Sequence, residues 1–142
     1  MNVKDTIARV LTGFHHGLLK VSGGRAGKQV MGMPVVVLET TGRKSGEPRQ
    51  TMLTAPVIDG DTVVLVASYG GDDRHPQWYR NLCADPDVTI ERDGTRTAYT
   101  ARTATAEEKA ELWPRITKAY KGYAGYQKRT DRDIPVVLLT PR

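Results

Sequence analysis

The chain has 142 residues, enough for one domain around one hydrophobic core, and its 39% hydrophobic and 26% charged residues suit an ordinary globular protein. Its single cysteine, Cys83, excludes an intrachain disulfide, and no continuous apolar run is long enough for a signal segment or a membrane span, so the expected location is cytoplasmic. A formal charge of +5 admits an anionic ligand, a nucleic acid or an acidic membrane surface, and by itself selects none of them.

Along the chain, Val3, Ile7, Val10, Leu11, Phe14 and Leu18 recur at helical spacing, which predicts an amphipathic helix over residues 2–20. Such a helix packs on the domain, covers a greasy substrate or touches a membrane surface. Residues 22–27 read as a flexible connection, so residues 1–27 form a helix and linker and residues 28–142 the main body. From Pro34 the pattern turns to strands. Val35 to Leu38 is β-branched and suits burial on both faces. Thr41 to Pro48 is a polar turn, a second strand is expected over 50–58, and Asp59-Gly60 signals a hairpin into a third strand over 62–68. Gly70-Gly71 ends that strand.

Pro76 to Ala84 predicts a short helix, and Asp93-Gly94 a hairpin between strands at 87–91 and 96–102. Thr105-Ala106-Glu107-Glu108 is a capping box opening a helix that reaches Trp113, where Pro114 is expected to kink or restart it. Residues 134–139 form a closing apolar strand. Hairpins predominate over helical crossovers, which argues for an α+β, mainly antiparallel barrel with flanking helices and against a doubly wound sheet.

Four segments carry chemistry. Arg43, Lys44 and Arg49 cluster around a turn with Gly42, Ser45 and Gly46; guanidinium forks match phosphate and carboxylate oxygens. The spacing is not that of a Walker A loop, and a solvated hairpin turn explains the segment as well. Ala67-Ser68-Tyr69-Gly70-Gly71 ends an apolar strand and can bring backbone amides close to a planar ring, or simply turn the chain. The segment His75 to Pro86 has Pro at both ends of the short helix, which bears Trp78, Tyr79 and Asn81. Trp78 suits core packing, whereas a buried Asn81 needs partners. Tyr120, Tyr123 and Tyr126 recur every third residue with Gly122 and Gly125 between them, a spacing that lines one wall with flat rings and hydroxyl donors. His15, His16, His75 and Cys83 lack metal-ligand spacing, so no metal is expected, and Cys83 reads as a packing residue.

Together these segments resemble the deazaflavin-dependent nitroreductase family of actinobacteria. The resemblance runs over Leu38 to Arg49, Val66 to Gly71, Pro76 to Leu82, Ala84 to Pro86, the three tyrosines and Thr130 to Pro135, in matching order from about Pro34 onward. It implies a split β-barrel and the cofactor coenzyme F420, a hydride carrier with a phospholactyl oligoglutamate tail. It implies that Arg43, Lys44 and Arg49 hold that tail with Ser45 nearby. Gln50, Thr51 and Thr54, with Val66, Ala67, Ser68 and Tyr69, and with Gln77, Trp78 and Asn81, would flank the ring and ribityl chain. Tyr123 would sit beside the ring, while Tyr120 and Tyr126 face substrate and one of them donates a proton. Two departures stand out: relatives with nitroimidazole activity carry Tyr where this chain has Thr54, and Lys is common where it has Tyr69.

The expected activity is therefore hydride transfer from the reduced cofactor to a hydrophobic enone, quinone or nitro compound. An FMN-binding split-barrel oxidoreductase is the alternative, since one phosphate fits the same basic turn. A nucleic-acid module fits poorly, because the cations do not alternate with aromatics along strands. Membrane contact, if any, falls to the N-terminal helix.

Overall fold

The computed structural model describes residues 29–30 and 32–142; the helix expected over 2–20 and its connection lie outside them. Strands β1 (Gln29–Val30), β2 (Met33–Thr41), β3 (Pro48–Thr54), β4 (Val57–Asp59) and β5 (Thr62–Val66) come first. They are followed by α1 (Gln77–Ala84), β6 (Asp87–Arg92), β7 (Thr95–Thr103), α2 (Ala106–Ala119), α3 (Gly122–Lys128) and β8 (Val136–Pro141). The strands form one curled, half-barrel sheet in the order β1-β2-β6-β7-β8-β5-β4, with β3 paired to β2. Every pairing is antiparallel.

Turn chemistry sets the hairpins. Asp59 pairs with Thr62 across a two-residue loop in which Gly60 has φ +58°. Arg92 pairs with Thr95 across Asp93 (φ +52°) and Gly94 (φ +80°), the all-positive geometry that matches strand twist. The strand expected over 50–58 is two strands. Pro56 has no N–H to give a ladder, and the chain corners at Ala55-Pro56, so β3 stays on β2 while β4 crosses to β5. That corner contributes to the curl of the sheet.

Strand alternation gives the sheet two apolar faces. Val36 and Leu38 of β2, Val63 and Leu65 of β5, and Val137 and Leu139 of β8 point inward, where Trp78 and Leu82 of α1 pack on them. The intervening residues Val64, Val66, Val136 and Leu138 point outward and are covered by Ile116 of α2 and Tyr123 of α3. Each face removes full side chains from water, at roughly 1.5–3 kcal/mol per large apolar residue.

Helix α2 starts at the expected capping box: Thr105 Oγ1 accepts from the Glu108 N–H (3.1 Å) and Glu108 Oε1 accepts from the Thr105 N–H (2.9 Å). It does not stop at Pro114 but continues to Ala119. Pro114 and the residue one turn earlier, Ala110, are both exposed, so water can serve the carbonyl that Pro leaves without a donor. Cys83, expected to pack, is exposed, because α1 turns Trp78 and Leu82 toward the core and Cys83 away from it. Among the described residues, no helix is long and apolar enough to cross a membrane.

The Glu108 carboxylate also accepts from Arg102 Nη1 and Nη2, each at 2.7 Å, and these bonds with the cap hold its carboxyl down to about 2. A depressed carboxylate stabilises the fold above its ordinary value of 4.5, and that contribution is lost as pH falls toward about 2. Replacing Glu108 by Gln should therefore flatten the change in thermal stability between those pH values while lowering stability at neutral pH. Melting curves across the acid range check this.

Candidate active site

The β2–β3 hairpin carries the basic turn. The Gly42 N–H donates to the Glu47 carbonyl and the Gly46 N–H to the Gly42 carbonyl, both at 2.8 Å. A side chain at Gly42 has no room, since a Cβ there would lie 2.7 Å from Ser45 Oγ and 3.3 Å from the Glu47 carbonyl oxygen. Ser45 Oγ accepts from the Glu47 N–H at 3.2 Å and from Arg49 Nη2 at 3.3 Å, so its hydroxyl shapes the turn as well as facing the groove. Lys44 and Arg49 are exposed. Among the described residues, no carboxylate pairs with Arg43, Lys44 or Arg49.

Asn81 explains why a polar residue sits on the inward face of α1. It is 5% exposed, and its Oδ1 accepts from both the Arg43 N–H (3.2 Å) and Arg43 Nη1 (2.9 Å). Its Nδ2 donates to Thr40 Oγ1 at 3.3 Å. The amide thus ties the helix to the basic turn and fixes the Arg43 guanidinium before any ligand arrives.

Between hairpin and helix lies an open groove of about 410 Å³. The hairpin lines it with Thr40, Gly42, Arg43, Lys44, Ser45, Arg49, Gln50 and Thr51, and α1 with Gln77, Trp78 and Asn81. Nine of the residues anticipated from sequence meet here. Thr40 was missed, although its place two residues beyond Leu38 puts a polar group on the inward face, which is a legible signal.

The other anticipated residues do not line this groove. Thr54 pairs with Val35 and Thr51 with Leu38, so the two threonines point to opposite faces of the ribbon. Thr54 meets the tyrosines instead: its Oγ1 lies 3.4 Å from the Tyr123 hydroxyl, which also donates to Met33 Sδ at 3.8 Å. Val66 packs in the Tyr123 cluster, and Ala67 in the inner core that also holds Trp78. Ser68 is buried, and Tyr69 adopts φ +47° with the Arg74 guanidinium 5.9 Å from its ring centre.

The three tyrosine rings do form one cluster, with centres 5.3 to 6.2 Å apart and edge-on or tilted contacts. Gly122 makes room for it: a Cβ there would fall 2.3 Å from a Tyr120 ring carbon. Tyr123 is buried, whereas Tyr120 and Tyr126 are half-buried with their hydroxyls 3.4 Å apart. Burial, reinforced by the neighbouring Tyr120, pushes the Tyr126 hydroxyl up to about 12; burial also raises that of Tyr123. Both remain protonated donors at neutral pH. Among the described residues, no group of His, Cys, Asp and Glu is placed to hold a metal ion.

The curled antiparallel sheet is a fold shared with other proteins of solved structure. A pyridoxine-phosphate-oxidase-family protein of Clostridium acetobutylicum superposes with a TM-score of 0.53 at 16% identity, covering 88% of this chain and 84% of its own, which speaks for the fold alone. Sequence narrows the class. The family model of the F420H(2)-dependent quinone reductases matches residues 13–141, and the chain belongs to that family. An F420H(2)-dependent quinone reductase of Mycobacterium tuberculosis (strain H37Rv) is 42% identical over 132 residues, 90% of this chain and 88% of the relative. The solved structure of an F420-H2 dependent reductase, FDR-A, has a TM-score of 0.68 at 40% identity, covering 75% of this chain and 93% of its own. A further structure, described as a domain-swapped dimer, has a TM-score of 0.70 at 36% identity and covers 96% of both chains.

Replacing Asn81 by Leu keeps the size of the side chain but leaves the Arg43 N–H and the Thr40 hydroxyl without their partner. The variant should lose about 1–3 kcal/mol of stability, read as a lower urea midpoint at unchanged slope.

Proposed function

We propose that the chain binds coenzyme F420 along β3 and uses it to reduce a quinone or a related unsaturated acceptor. The observation that carries this reading is one strand with two chemically different ends. Arg43, Lys44 and Arg49 gather at its start, and Thr54 at its end touches the tyrosine cluster. Five residue steps separate Arg49 from Thr54, roughly 17 Å at the rise of a strand. Among the described residues β3 pairs only with β2, so a long ligand with an anionic tail and an aromatic head can follow its free edge from the groove face to the tyrosine face.

The residues present fit such a cofactor. The basic turn has cations with no acidic partner among the described residues, and Asn81 holds Arg43 in place. Trp78 offers the groove a flat wall, and Gln77, Gln50 and Thr51 offer hydrogen-bonding groups for a polyol chain. We assign the tail to Arg43, Lys44, Ser45 and Arg49, and the ring end to the region of Thr54, Val66 to Tyr69 and Tyr123. In this reading residues 28–142 are one split β-barrel cofactor-binding domain in a cytoplasmic protein. Residues 1–27 are then the segment that would meet a membrane surface.

The chemistry that coenzyme F420 supplies when bound is hydride transfer to an electron-poor acceptor. The chain's own residues bind, orient and stabilise. Lys44 and Arg49 act far from the reacting end, so they add affinity equally to ground and transition states. Tyr120 and Tyr126, half-buried and side by side, form a wall for a planar acceptor. A hydroxyl raised to about 12 is a poor proton donor in the full sense but a secure hydrogen-bond donor, so Tyr126 stabilises the developing oxyanion and water completes protonation.

Coenzyme F420 should bind more tightly than FMN, with the preference shrinking as salt is added. Equal or tighter FMN binding contradicts the reading. Lys44→Ala and Arg49→Ala should each raise the cofactor dissociation constant about tenfold or more while leaving hydride transfer at saturating cofactor nearly unchanged. Cofactor titrations and single-turnover traces separate the two effects.

Tyr126→Phe should keep cofactor affinity but slow single-turnover reduction of a quinone by about a hundredfold. In the wild type, that rate should hold as pH rises through 10, where an ordinary tyrosine ionises, and fall only toward about 12. A wild-type rate in the variant would reduce Tyr126 to a wall.

A further inference from the structure

Arg132 lies between α3 and β8, outside the groove and outside the tyrosine wall. Its guanidinium nevertheless binds the segment that joins β5 to α1. Nη2 donates to the carbonyls of Ala67 (3.1 Å) and Ser68 (2.9 Å), and Nε to the carbonyl of Asp72 (2.8 Å). Nη1 faces His75 Nδ1 at 3.1 Å. A guanidinium has only donors, so Nδ1 is the acceptor and the His75 ring is neutral with its proton on Nε2.

The base of this clasp is itself fixed. The Arg132 carbonyl accepts from Gln127 Nε2 at 2.8 Å, and Gln127 Oε1 accepts from Lys109 Nζ and from the Ile134 N–H, both at 3.0 Å. The clasp therefore stands on α2 and α3. Its far end sets α1, because His75 directly precedes Pro76, the N-cap of that helix, and Ala67 belongs to the same buried core as Trp78 and Leu82 of α1. Helix α1 in turn brings Trp78 to the groove and Asn81 to Arg43.

We propose that Arg132 is a positioning residue: by holding the carbonyls of Ala67, Ser68 and Asp72 together with the His75 ring, it seats α1 and so fixes the groove wall and the Arg43 guanidinium. The consequence for cofactor affinity rests on the functional reading above; the seating of α1 does not. The planar fork is essential, since four acceptors in three directions exceed what one lysine ammonium can reach from the same backbone position.

The test uses the full chain with Arg132→Ala, Arg132→Lys and His75→Leu. Amide hydrogen exchange of the cofactor-free protein should speed up about tenfold or more over residues 68–84 in both Arg132 variants, with the β6–β7 hairpin unchanged. His75→Leu, which removes one acceptor, should move the same residues by less. In the Arg132 variants the dissociation constant for oxidised coenzyme F420 should rise about tenfold or more, and added methylguanidinium should restore it in Arg132→Ala but not in Arg132→Lys. A merely structural arginine would lower the melting temperature without that rescue.

Unchanged exchange over 68–84 in the folded variants overturns the proposal, as does acceleration spread evenly over the whole chain. If Arg132→Ala does not fold, Arg132→Lys and His75→Leu decide by the same pattern. If the wild type binds no coenzyme F420, the functional reading falls and the exchange pattern alone decides the role of Arg132.

Discussion

The alternation of side chains along β2 and β3 governs how the chain separates its two kinds of chemistry. Helix α1 packs on one face of β2, and the tyrosine cluster meets the other face at Met33 and Thr54, so successive residues are sorted between two environments. Leu38, Thr40, Arg49 and Thr51 look toward α1; Met33 and Thr54 look toward Tyr123. A one-residue slip in register would send the cations to the tyrosines and the threonines to the wrong side. Seven paired positions from Val35–Thr54 to Thr41–Pro48, and the closed turn at Gly42, hold that register.

Polar groups at this junction are consumed by the protein before they serve a ligand. Asn81 spends its carbonyl oxygen on Arg43 and its amide on Thr40, and Ser45 accepts from Arg49. Buried amides left without partners cost more than most single contacts gain, so these pairings are requirements of the fold. They also leave the basic turn rigid and ready, which lowers the ordering cost of binding an anion. Preorganisation and stability here come from the same hydrogen bonds.

The tyrosine wall is built on a different constraint. Tyr123 anchors it in the outer core, and Gly122 allows the Tyr120 ring to fold over the start of α3. Gly71, at φ +82°, comes close to the Tyr126 carbonyl oxygen, where a Cβ would lie at 3.0 Å. The turn after β5 and the helix carrying the tyrosines are therefore packed as one unit, and Arg132 ties the same turn to α1.

Local chemistry was legible in the chain itself. Asp59-Gly60 and Asp93-Gly94 dictate tight hairpins because few residues tolerate positive φ, and the Thr105–Glu108 box dictates a helix start because its donors lie within four residues of their acceptors. The basic turn, the tyrosine periodicity and the need of Asn81 for partners were readable for the same reason. Pro56 marks the corner after β3 in the chain itself, but two things were decided only by packing: the passage of α2 through Pro114 and the outward turn of Cys83. So was the division of the anticipated site into a cationic groove and an aromatic wall. Thr51 and Thr54 are three residues apart in sequence, but which element covers each face of β3 depends on contacts with α1 and α3 far along the chain. Arg132 makes the point most sharply, since its partners lie 57 to 65 residues away and no local pattern records them. Sequence determines what lies within a turn or a strand step, because backbone geometry acts there; long-range packing decides which of those pieces meet.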